Sequence, residues 1–229
     1  MDAFWQRAVD EQGFAVVPAL FSPSETIALL VSLADLTERG HRAGLRHVLR
    51  HPTINLIARD RRLIRIVEPL LGSTAFPFRA TLFDKSPDSN WLIAWHQDTA
   101  LPLREKREMA GWGPWSLKEG VTYAHAPARA LEQVLALRVH LDDSTQENGP
   151  LRVLPGTHQM GVLTDEQISC QTKERSSVEC LVAKGGVLAM RPLIIHASSK
   201  SRSDTSRRVL HIEYGAHPNI DGILTLAIT

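Results

Sequence analysis

Apolar positions follow a helical spacing before residue 76 and a strand-like spacing after it. In the first part they recur every three or four positions in two segments, 22–39 and 59–71, which predicts two amphipathic helices. In the second part, short apolar runs are separated by Gly, Pro, Asn and Asp, the pattern of a β-sandwich or barrel. The sequence therefore predicts a mainly β fold with N-terminal helices packed on one outer face.

Both predicted helices carry signals at their ends. Ser22 is a candidate N-cap, Pro23 fits the first helical position, and Glu25 completes a capping box. The apolar positions of the first helix recur at helical spacing: Ile27, Leu30, Val31 and Ala34. We expect this helix to run to about residue 39 and end at Gly40, and the second helix to end at Gly72.

The β part contains one long stretch with no strand pattern, residues 102–130. The predicted strands are 13–17, 78–83, 91–96, 133–141, 151–154, 178–182, 187–190, 193–196 and 208–214. A long loop inside a compact domain is usually functional, so 102–130 is predicted to form a lid over a site. Trp112 and Trp115 in it have two interpretations: they cover the site, or they anchor the loop to the barrel rim.

Composition is that of an ordinary globular chain. With 229 residues, 43% hydrophobic, the chain can form one domain with a full core, and we divide 1–229 into a helical part, 1–75, and a β core, 76–215. A net charge of +1 argues against nucleic-acid binding, and no apolar run approaches a membrane span. The N-terminus lacks signal-peptide features, so we expect a cytoplasmic monomer or homodimer. Cys170 and Cys180 are expected to be free thiols.

His96-Gln97-Asp98, at the end of predicted strand 91–96, is the leading candidate for chemistry. On a strand, residues i and i+2 point the same way, so the imidazole and the carboxylate would face one point. Such a pair supplies two ligands of the 2-His-1-carboxylate triad, which leaves open positions for Fe(II) oxygen chemistry. His140-Asp142 and His211-Glu213 share the spacing. The first pair is favoured because its strand runs out into an irregular segment where a substrate could enter.

His196, at the end of predicted strand 193–196, is the best candidate for a third ligand, although a lone histidine there would more often be structural. Arg207 and Arg208 begin the last predicted strand, and alternation sends them to opposite faces. Only one of them can enter the barrel. A guanidinium there suits the far carboxylate of a dicarboxylate cosubstrate.

Residues 39–50 are basic and, with His51, include three histidines. These histidines could suggest a metal site, but no carboxylate shares a face with them. We interpret the segment as solvated surface.

In combination, these motifs resemble those of the phytanoyl-CoA dioxygenase family of Fe(II)/2-oxoglutarate oxygenases. The resemblance rests on His96-Gln97-Asp98, on residues 142–158, and on His196 followed eleven positions later by Arg207. It covers roughly residues 14–215. It implies a double-stranded β-helix, a cupin-like jelly roll.

The resemblance also implies a site. Fe(II) would be bound by His96, Asp98 and His196, and 2-oxoglutarate by Arg207 and Ser198, with Thr81 and Arg138 as further cosubstrate-lining positions. Other members often have an aromatic or amide residue where this chain has Arg138, which would therefore add a second anchor or face outward. Halogenating relatives lack the carboxylate ligand, so the presence of Asp98 implies hydroxylation.

The implied reaction consumes O2 and 2-oxoglutarate, releases succinate and CO2, and hydroxylates a small-molecule substrate. Two alternatives are open. One is a non-redox metal-dependent jelly-roll enzyme, an isomerase or lyase, which would have no need of Arg207. The other is a catalytically silent binding protein.

Overall fold

The structure, a computed structural model, describes residues 3–37, 44–222 and 224–229. Its helices are α1 Ala3–Gln12, α2 Pro23–Ser32, α3 Ala34–Thr37, α4 Pro52–Ala58, α5 Arg61–Leu71, α6 Ala128–Leu131 and α7 Asp165–Glu174. Its strands are β1 Phe14–Val17, β2 Leu45–Arg46, β3 Phe76–Lys85, β4 Ile93–His96, β5 Ala100–Leu103, β6 Trp115–Lys118, β7 Val121–His125, β8 Val134–His140, β9 Leu151–Val153, β10 Val178–Cys180, β11 Val187–Met190, β12 His196–Ser198, β13 Arg207–Gly215, β14 Asn219–Ile220 and β15 Leu224–Thr225.

Two antiparallel sheets form the jelly roll. The larger has the strand order β1-β11-β8-β13-β3-β2 and the smaller β10-β9-β12-β4. They face each other, since Ala136 and Leu188 of the large sheet pack with Leu151 and Val153 of the small one in a buried cluster. The predicted mainly β jelly-roll fold is confirmed. Its large sheet also takes two strands, β1 and β2, from the part of the chain before residue 76.

The alternation along β8 determines which side chains reach the barrel interior. Leu135, Leu137 and Val139 belong to the core formed with the helices, which includes Leu63 and Val67 of α5. The residues between them point the other way. Arg138 and His140 are therefore directed between the two sheets, and both are buried.

The helix-end signals are confirmed where the structure describes them. Ser22 and Glu25 form the capping box, with Glu25 N donating to Ser22 Oγ over 3.2 Å. α5 ends at Gly72, whose φ is 91°. The apolar face of α2 differs from the expected one, because Ile27 and Val31 are 54% and 72% exposed. α2 ends at Ser32, and the predicted stop at Gly40 lies outside the described residues.

Two strand predictions need correction. The strand expected at 193–196 is displaced, so that His196 begins β12 and does not end a strand. Residues 102–130 are not a structureless loop, since β5, β7 and β6 form a three-stranded sheet and α6 follows. The turn between β6 and β7 contains Glu119 and Gly120, both with positive φ.

Both cysteines are free, as expected, with Cys180 buried and Cys170 exposed. Within the described ranges, no helix has the length and apolar character needed to cross a membrane. The longest helix, α5, has 11 residues, far fewer than the roughly 20 that a membrane span needs.

Candidate active site

The structure brings the three predicted metal ligands together. His96 ends β4, His196 begins β12, and the two residues are opposite each other in the pairing of these strands. The Nε2 atoms of His96 and His196 each lie 3.5 Å from a carboxylate oxygen of Asp98. The candidate ligand atoms all lie within 4.8 Å of one another. The three side chains are of the types that bind a metal, and they lie close enough together to share a single ion.

Main-chain contacts orient both imidazole rings. Nδ1 of His96 lies 2.9 Å from the carbonyl oxygen of Ala94, and Nδ1 of His196 lies 2.9 Å from that of Ile194. A carbonyl oxygen can only accept, so each Nδ1 donates a proton and each Nε2 presents its lone pair toward Asp98. This is the usual way in which metal-binding histidines are held.

Burial and mutual contact set the charges of the triad. Burial alone would raise the pKa of Asp98, but the imidazoles of His196 and His96 hold it well below its usual range. Burial lowers the pKa of His196 to about 4 despite the attraction of Asp98. For His96, burial would lower the pKa, but contact with Asp98 raises it overall. At neutral pH the carboxylate of Asp98 is ionised and His196 is neutral, the forms that bind metals.

Gln97, between the two ligands, is buried and has a structural role. Its Nε2 donates to the carbonyl oxygens of Gly161 and Leu193, over 2.9 and 2.7 Å. Its Oε1 accepts from Leu163 N over 2.8 Å. The side chain therefore fixes the segment that carries the ligands.

The triad opens into a cavity of about 180 Å³. Both sheets and the segment 100–125 contribute to its wall. The lining residues are Arg46, Arg79, Thr81, Phe83, Ile93, His96, Asp98, Lys118, Tyr123, Arg138, Leu151, His196, His211 and Glu213. Of the predicted cosubstrate residues, Thr81 and Arg138 line this cavity, whereas Ser198 and Arg207 do not.

Ser198 and Arg207 instead belong to a buried basic cluster with Lys85. Lys85 Nζ donates to Ser198 Oγ over 2.8 Å and to the carbonyl oxygen of Ser199 over 2.6 Å. Arg207 is opposite Lys85 in the pairing of β13 with β3, and its Nε donates to the carbonyl oxygen of Asn148 over 3.1 Å. Arg207 thus points inward, as one of the two adjacent arginines was expected to do.

Arg138 lines the cavity and also interacts electrostatically with this cluster. Burial lowers the pKa of Lys85 to about 7, and both Arg207 and Arg138 lower it as well. Burial likewise lowers the pKa of Arg207 and of Arg138 to about 10, and Arg138 further lowers that of Arg207. No Asp or Glu in the described part of the chain forms an ion pair with Lys85, Arg138 or Arg207. Buried cations of this kind favour binding of an anion.

The remaining atoms of Arg138 support the same conclusion. Its Nη1 donates to His211 Nδ1 over 3.2 Å, and its buried Nε has no hydrogen-bond partner. Its guanidinium carbon lies 5.2 Å from the centre of the Phe83 ring. Arg138 therefore faces inward with donor capacity left for a ligand.

Sequence reasoning missed Lys85, in the basic cluster, and Arg79, in the cavity wall. The predicted strand 78–83 ended two residues before Lys85, although the alternation Arg79, Thr81, Phe83, Lys85 continues to the end of β3. Polar residues at three of these four alternate positions, on a strand that also carries a buried apolar face, were the available signal. Arg79 forms a buried ion pair with Glu213, with Nη2 2.6 Å from Oε1.

Among the residues that the structure describes, the competing histidine pairs do not form metal sites, although His211 lines the cavity. His140 is buried, and the carboxylate of Asp142 accepts hydrogen bonds from Arg208, which points away from the site. His211 Nε2 lies 3.8 Å from Glu213, whose carboxylate already pairs with an arginine. Neither pair meets a third ligand in the described residues.

Segment 100–125 contributes two residues to the wall of the cavity. Lys118 and Tyr123 line it, whereas Trp112 and Trp115 do not. Trp112 is buried, and its Nε1 donates to Asp221 over 3.2 Å, which supports the interpretation as an anchor. Arg46 also lines the cavity, and its side chain is 50% exposed, so it is solvated as expected. Arg39 and His41 lie outside the described residues.

The chain is similar in sequence to known oxygenases. The sequence is 26% identical over 188 residues to L-proline trans-4-hydroxylase from Streptomyces griseoviridis, covering 68% of this chain and 62% of that protein. It is 25% identical over 169 residues to ectoine dioxygenase from Bordetella bronchiseptica, covering 66% and 48%. The chain thus spans about half to three fifths of the length of these relatives.

Solved structures show the same fold. SnoK, a non-heme alpha ketoglutarate dependent carbocyclase from nogalamycin biosynthesis, superposes with a TM-score of 0.73 at 15% identity, covering 99% of this chain and 87% of that one. The apoform of EctD from S. alaskensis gives 0.72 at 19% identity, covering 94% and 77%. Residues 9–209 match the family described as phytanoyl-CoA dioxygenase (PhyH). The chain belongs to the phytanoyl-CoA dioxygenase family.

Proposed function

We propose that the chain is an Fe(II)- and 2-oxoglutarate-dependent dioxygenase that hydroxylates a small-molecule substrate. The observation that carries this proposal is the meeting of two histidine Nε2 atoms and one carboxylate at a cavity that also contacts a buried arginine. Family membership supports it. So do the solved structures of EctD from S. alaskensis, one with bound Fe and one with 2-oxoglutarate and 5-hydroxyectoine.

His96, Asp98 and His196 would hold Fe(II). Two imidazole nitrogens and one carboxylate oxygen are the donor set of the facial triad, and both rings are held with Nε2 directed at the carboxylate. When bound, Fe(II) with 2-oxoglutarate and O2 supplies the oxidation of a substrate C–H bond to an alcohol, with succinate and CO2 as the other products.

The buried basic cluster would hold 2-oxoglutarate. Arg207 and Ser198 are the family positions for its distal carboxylate, and Lys85 contacts the same serine hydroxyl. Because Arg138 lines the cavity and keeps an unpartnered donor, it would act as a second anchor. Thr81 lines the same wall. An anion of two carboxylates would neutralise cations that the described residues leave without a counter-ion.

The rest of the wall has to orient the substrate and exclude water. Phe83, Ile93 and Leu151 supply apolar surface next to the triad. Such surface favours an organic substrate and limits the water that could intercept an oxidising species. The cavity of about 180 Å³ is below the roughly 300–1,000 Å³ typical of pockets for drug-sized ligands, which favours a small substrate.

Two features separate this function from its alternatives. A non-redox isomerase or lyase of the same fold has no use for a buried dicarboxylate site, whereas this chain has three buried cations beside its triad. A halogenating enzyme lacks the carboxylate ligand, and here Asp98 faces both histidines. Hydroxylation is therefore the outcome we propose.

Succinate formation tests the proposal. Wild-type protein supplied with Fe(II), 2-oxoglutarate and O2 should form succinate, and Asp98→Ala should not, because a ligand is lost. Asp88→Ala, a change at an exposed aspartate, is the matched control and should behave as wild type. Undiminished succinate formation by Asp98→Ala would remove the ligand assignment.

The cytoplasmic location, the monomeric or homodimeric state and the lack of nucleic-acid binding stay predictions, as does the single-domain organisation of residues 1–229.

A further inference from the structure

The pairing of β13 with β3 orders the site from the buried basic cluster, which lies outside the cavity lining, to the cavity itself. Arg207 is opposite Lys85 at the first end, and Glu213 is opposite Arg79 at the other. Arg207 and Glu213 are six positions apart on the strand, a distance of roughly 20 Å. Ser198, the proposed 2-oxoglutarate residue on β12, contacts Lys85 at the first end. The end that contains Arg79, here called the mouth, is left for the primary substrate.

Arg79 is a rigid donor at the mouth. Its Nε and Nη2 pair with Glu213, and its Nη1 donates to the carbonyl oxygen of Ala100 over 3.0 Å. The Glu213 side chain is 2% exposed, so a buried carboxylate holds the guanidinium in place. A guanidinium has five N–H donors, and these bonds leave donors for a planar acceptor in the cavity. Arg79 is thus preorganised to recognise a carboxylate.

Two more cations reach the mouth from other elements. Lys118 comes from β6 and Arg46 from β2, and both line the cavity with Arg79. Lys118 Nζ lies 5.1 Å from the centre of the Tyr123 ring, and Arg79 lies 5.7 Å from it. The Lys118 side chain is exposed, but partial desolvation lowers its pKa, and the positive charges of Arg46 and Arg79 lower it further. The three cations are therefore close enough to repel one another.

The described residues neutralise only part of this charge. Glu213 pairs with Arg79, and Glu119 lies 3.8 Å from Arg46. No Asp or Glu of the described ranges forms an ion pair with Lys118. One positive charge is left at the mouth, beside a fixed guanidinium.

We propose that the mouth binds the carboxylate of the primary substrate, through Lys118 and Arg79, and that this substrate is a small organic acid with one negative charge at this end. The inference rests on the proposed dioxygenase function. The carboxylate would hold the molecule at Arg79 and direct its body past Ile93 and Leu151, the apolar wall residues, to the triad. A cationic group at this end would be repelled by the charge of Lys118, and a dianion would exceed this one charge.

Matched acids and amides test the proposal. The probes are L-amino acids and short monocarboxylic acids, each paired with its primary amide. Binding to the anaerobic Fe(II)·2-oxoglutarate complex is measured by isothermal titration, and stimulation of succinate formation is then measured in air. We expect at least one acid to bind and to stimulate turnover, with its amide about 10-fold weaker or more, because a charge-assisted bond is lost.

Variants assign the effect to the mouth. Lys118→Met should weaken acid binding about 10-fold or more, and Lys118→Arg should restore most of it. Lys106→Met removes an exposed lysine of the same segment, one that pairs with Glu108, and should match wild type.

The outcomes separate this inference from the function on which it rests. If Fe(II)-dependent binding of 2-oxoglutarate is absent in wild type, the proposed function fails and this inference fails with it. If 2-oxoglutarate binds but amides match acids, no acid binds, or Lys118→Met binds acids like wild type, this inference alone is overturned.

Discussion

The mouth of the cavity and the basic cluster of Lys85, Arg138 and Arg207, here called the inner end, both contain arginines, but only the mouth supplies its own counter-charge. At the mouth, Arg79 pairs with Glu213, and the Arg79 side chain is 16% exposed. At the inner end, Lys85, Arg138 and Arg207 are buried, and no acid of the described residues pairs with them. The pKa values differ accordingly. Burial alone would lower the pKa of Arg79, but Glu213 raises it overall. Burial lowers the pKa of Lys85, Arg138 and Arg207.

This contrast shows how a fold can use the same residue type in two ways. A buried cation with an internal carboxylate is fixed in place whether or not a ligand is bound. A buried cation without one destabilises the empty protein and gains when an anion arrives. The inner end therefore gains stability when an acid binds, whereas Arg79 is already held in place before any ligand arrives.

The largest effect is expected from breaking the internal pair. Glu213→Gln leaves Arg79 buried without its carboxylate, which should lower the free energy of unfolding by about 3–5 kcal/mol. Chemical denaturation of the metal-free protein measures this change. Glu147→Gln removes a carboxylate from an exposed pair with Arg202 and should cost less than about 1 kcal/mol. Equal losses of unfolding free energy in the two variants would mean that the Arg79–Glu213 pair matters no more to stability than an exposed pair.

A change in stability of the opposite sign is expected at the inner end. Lys85→Met removes an uncompensated buried cation, so the ligand-free protein should become more stable, while 2-oxoglutarate binding weakens about 10-fold or more. Thermal unfolding and anaerobic titration with 2-oxoglutarate measure the two effects. The control is Lys173→Met, on the exposed side of α7. A variant that is less stable and binds 2-oxoglutarate normally would show that Lys85 is only structural.

The affinity for 2-oxoglutarate should also change with pH, by a smaller amount. Because burial lowers the pKa of Lys85 to about 7 in the free protein, and a bound anion would raise it again, 2-oxoglutarate affinity should be highest below about pH 7. It should fall by up to about tenfold per unit as the pH rises above that value. Lys85→Arg, whose guanidinium stays charged, should flatten the profile between about pH 7 and pH 9. An unchanged slope in Lys85→Arg would assign the titration to another group.

Sequence alone predicted the inner end better than the mouth. Arg207 and Arg138 lie on long strands, β13 and β8, but the resemblance to the family singled them out, since alternation showed only that one of Arg207 and Arg208 enters the barrel and left the face of Arg138 open. The metal ligands were recognisable because His96 and Asp98 are two positions apart on one predicted strand and only the third ligand had to come from elsewhere. Lys85 was lost because β3 was predicted to end at Phe83, two residues early.

The mouth could not be predicted because its residues come from short, separate segments. Arg46 is on a two-residue strand, β2, within a stretch that looks like a basic surface. Lys118 and Tyr123 are on β6 and β7, inside a segment with mixed polarity and no clear period of two. Their position depends on the pairing of β7 with both β6 and β5, and no local pattern specifies the pairing with β5.

Binding of 2-oxoglutarate in the absence of O2 tests the central claim most directly. We predict that 2-oxoglutarate binds wild-type protein tightly, at one per chain, when Fe(II) is present and much more weakly when it is absent. In Asp98→Ala the metal affinity should fall by more than about 100-fold, since loss of a residue that only supports a ligand already costs about 10–100-fold. Binding of 2-oxoglutarate that is independent of metal, or Fe(II) affinity in Asp98→Ala equal to that of wild type, would contradict the account.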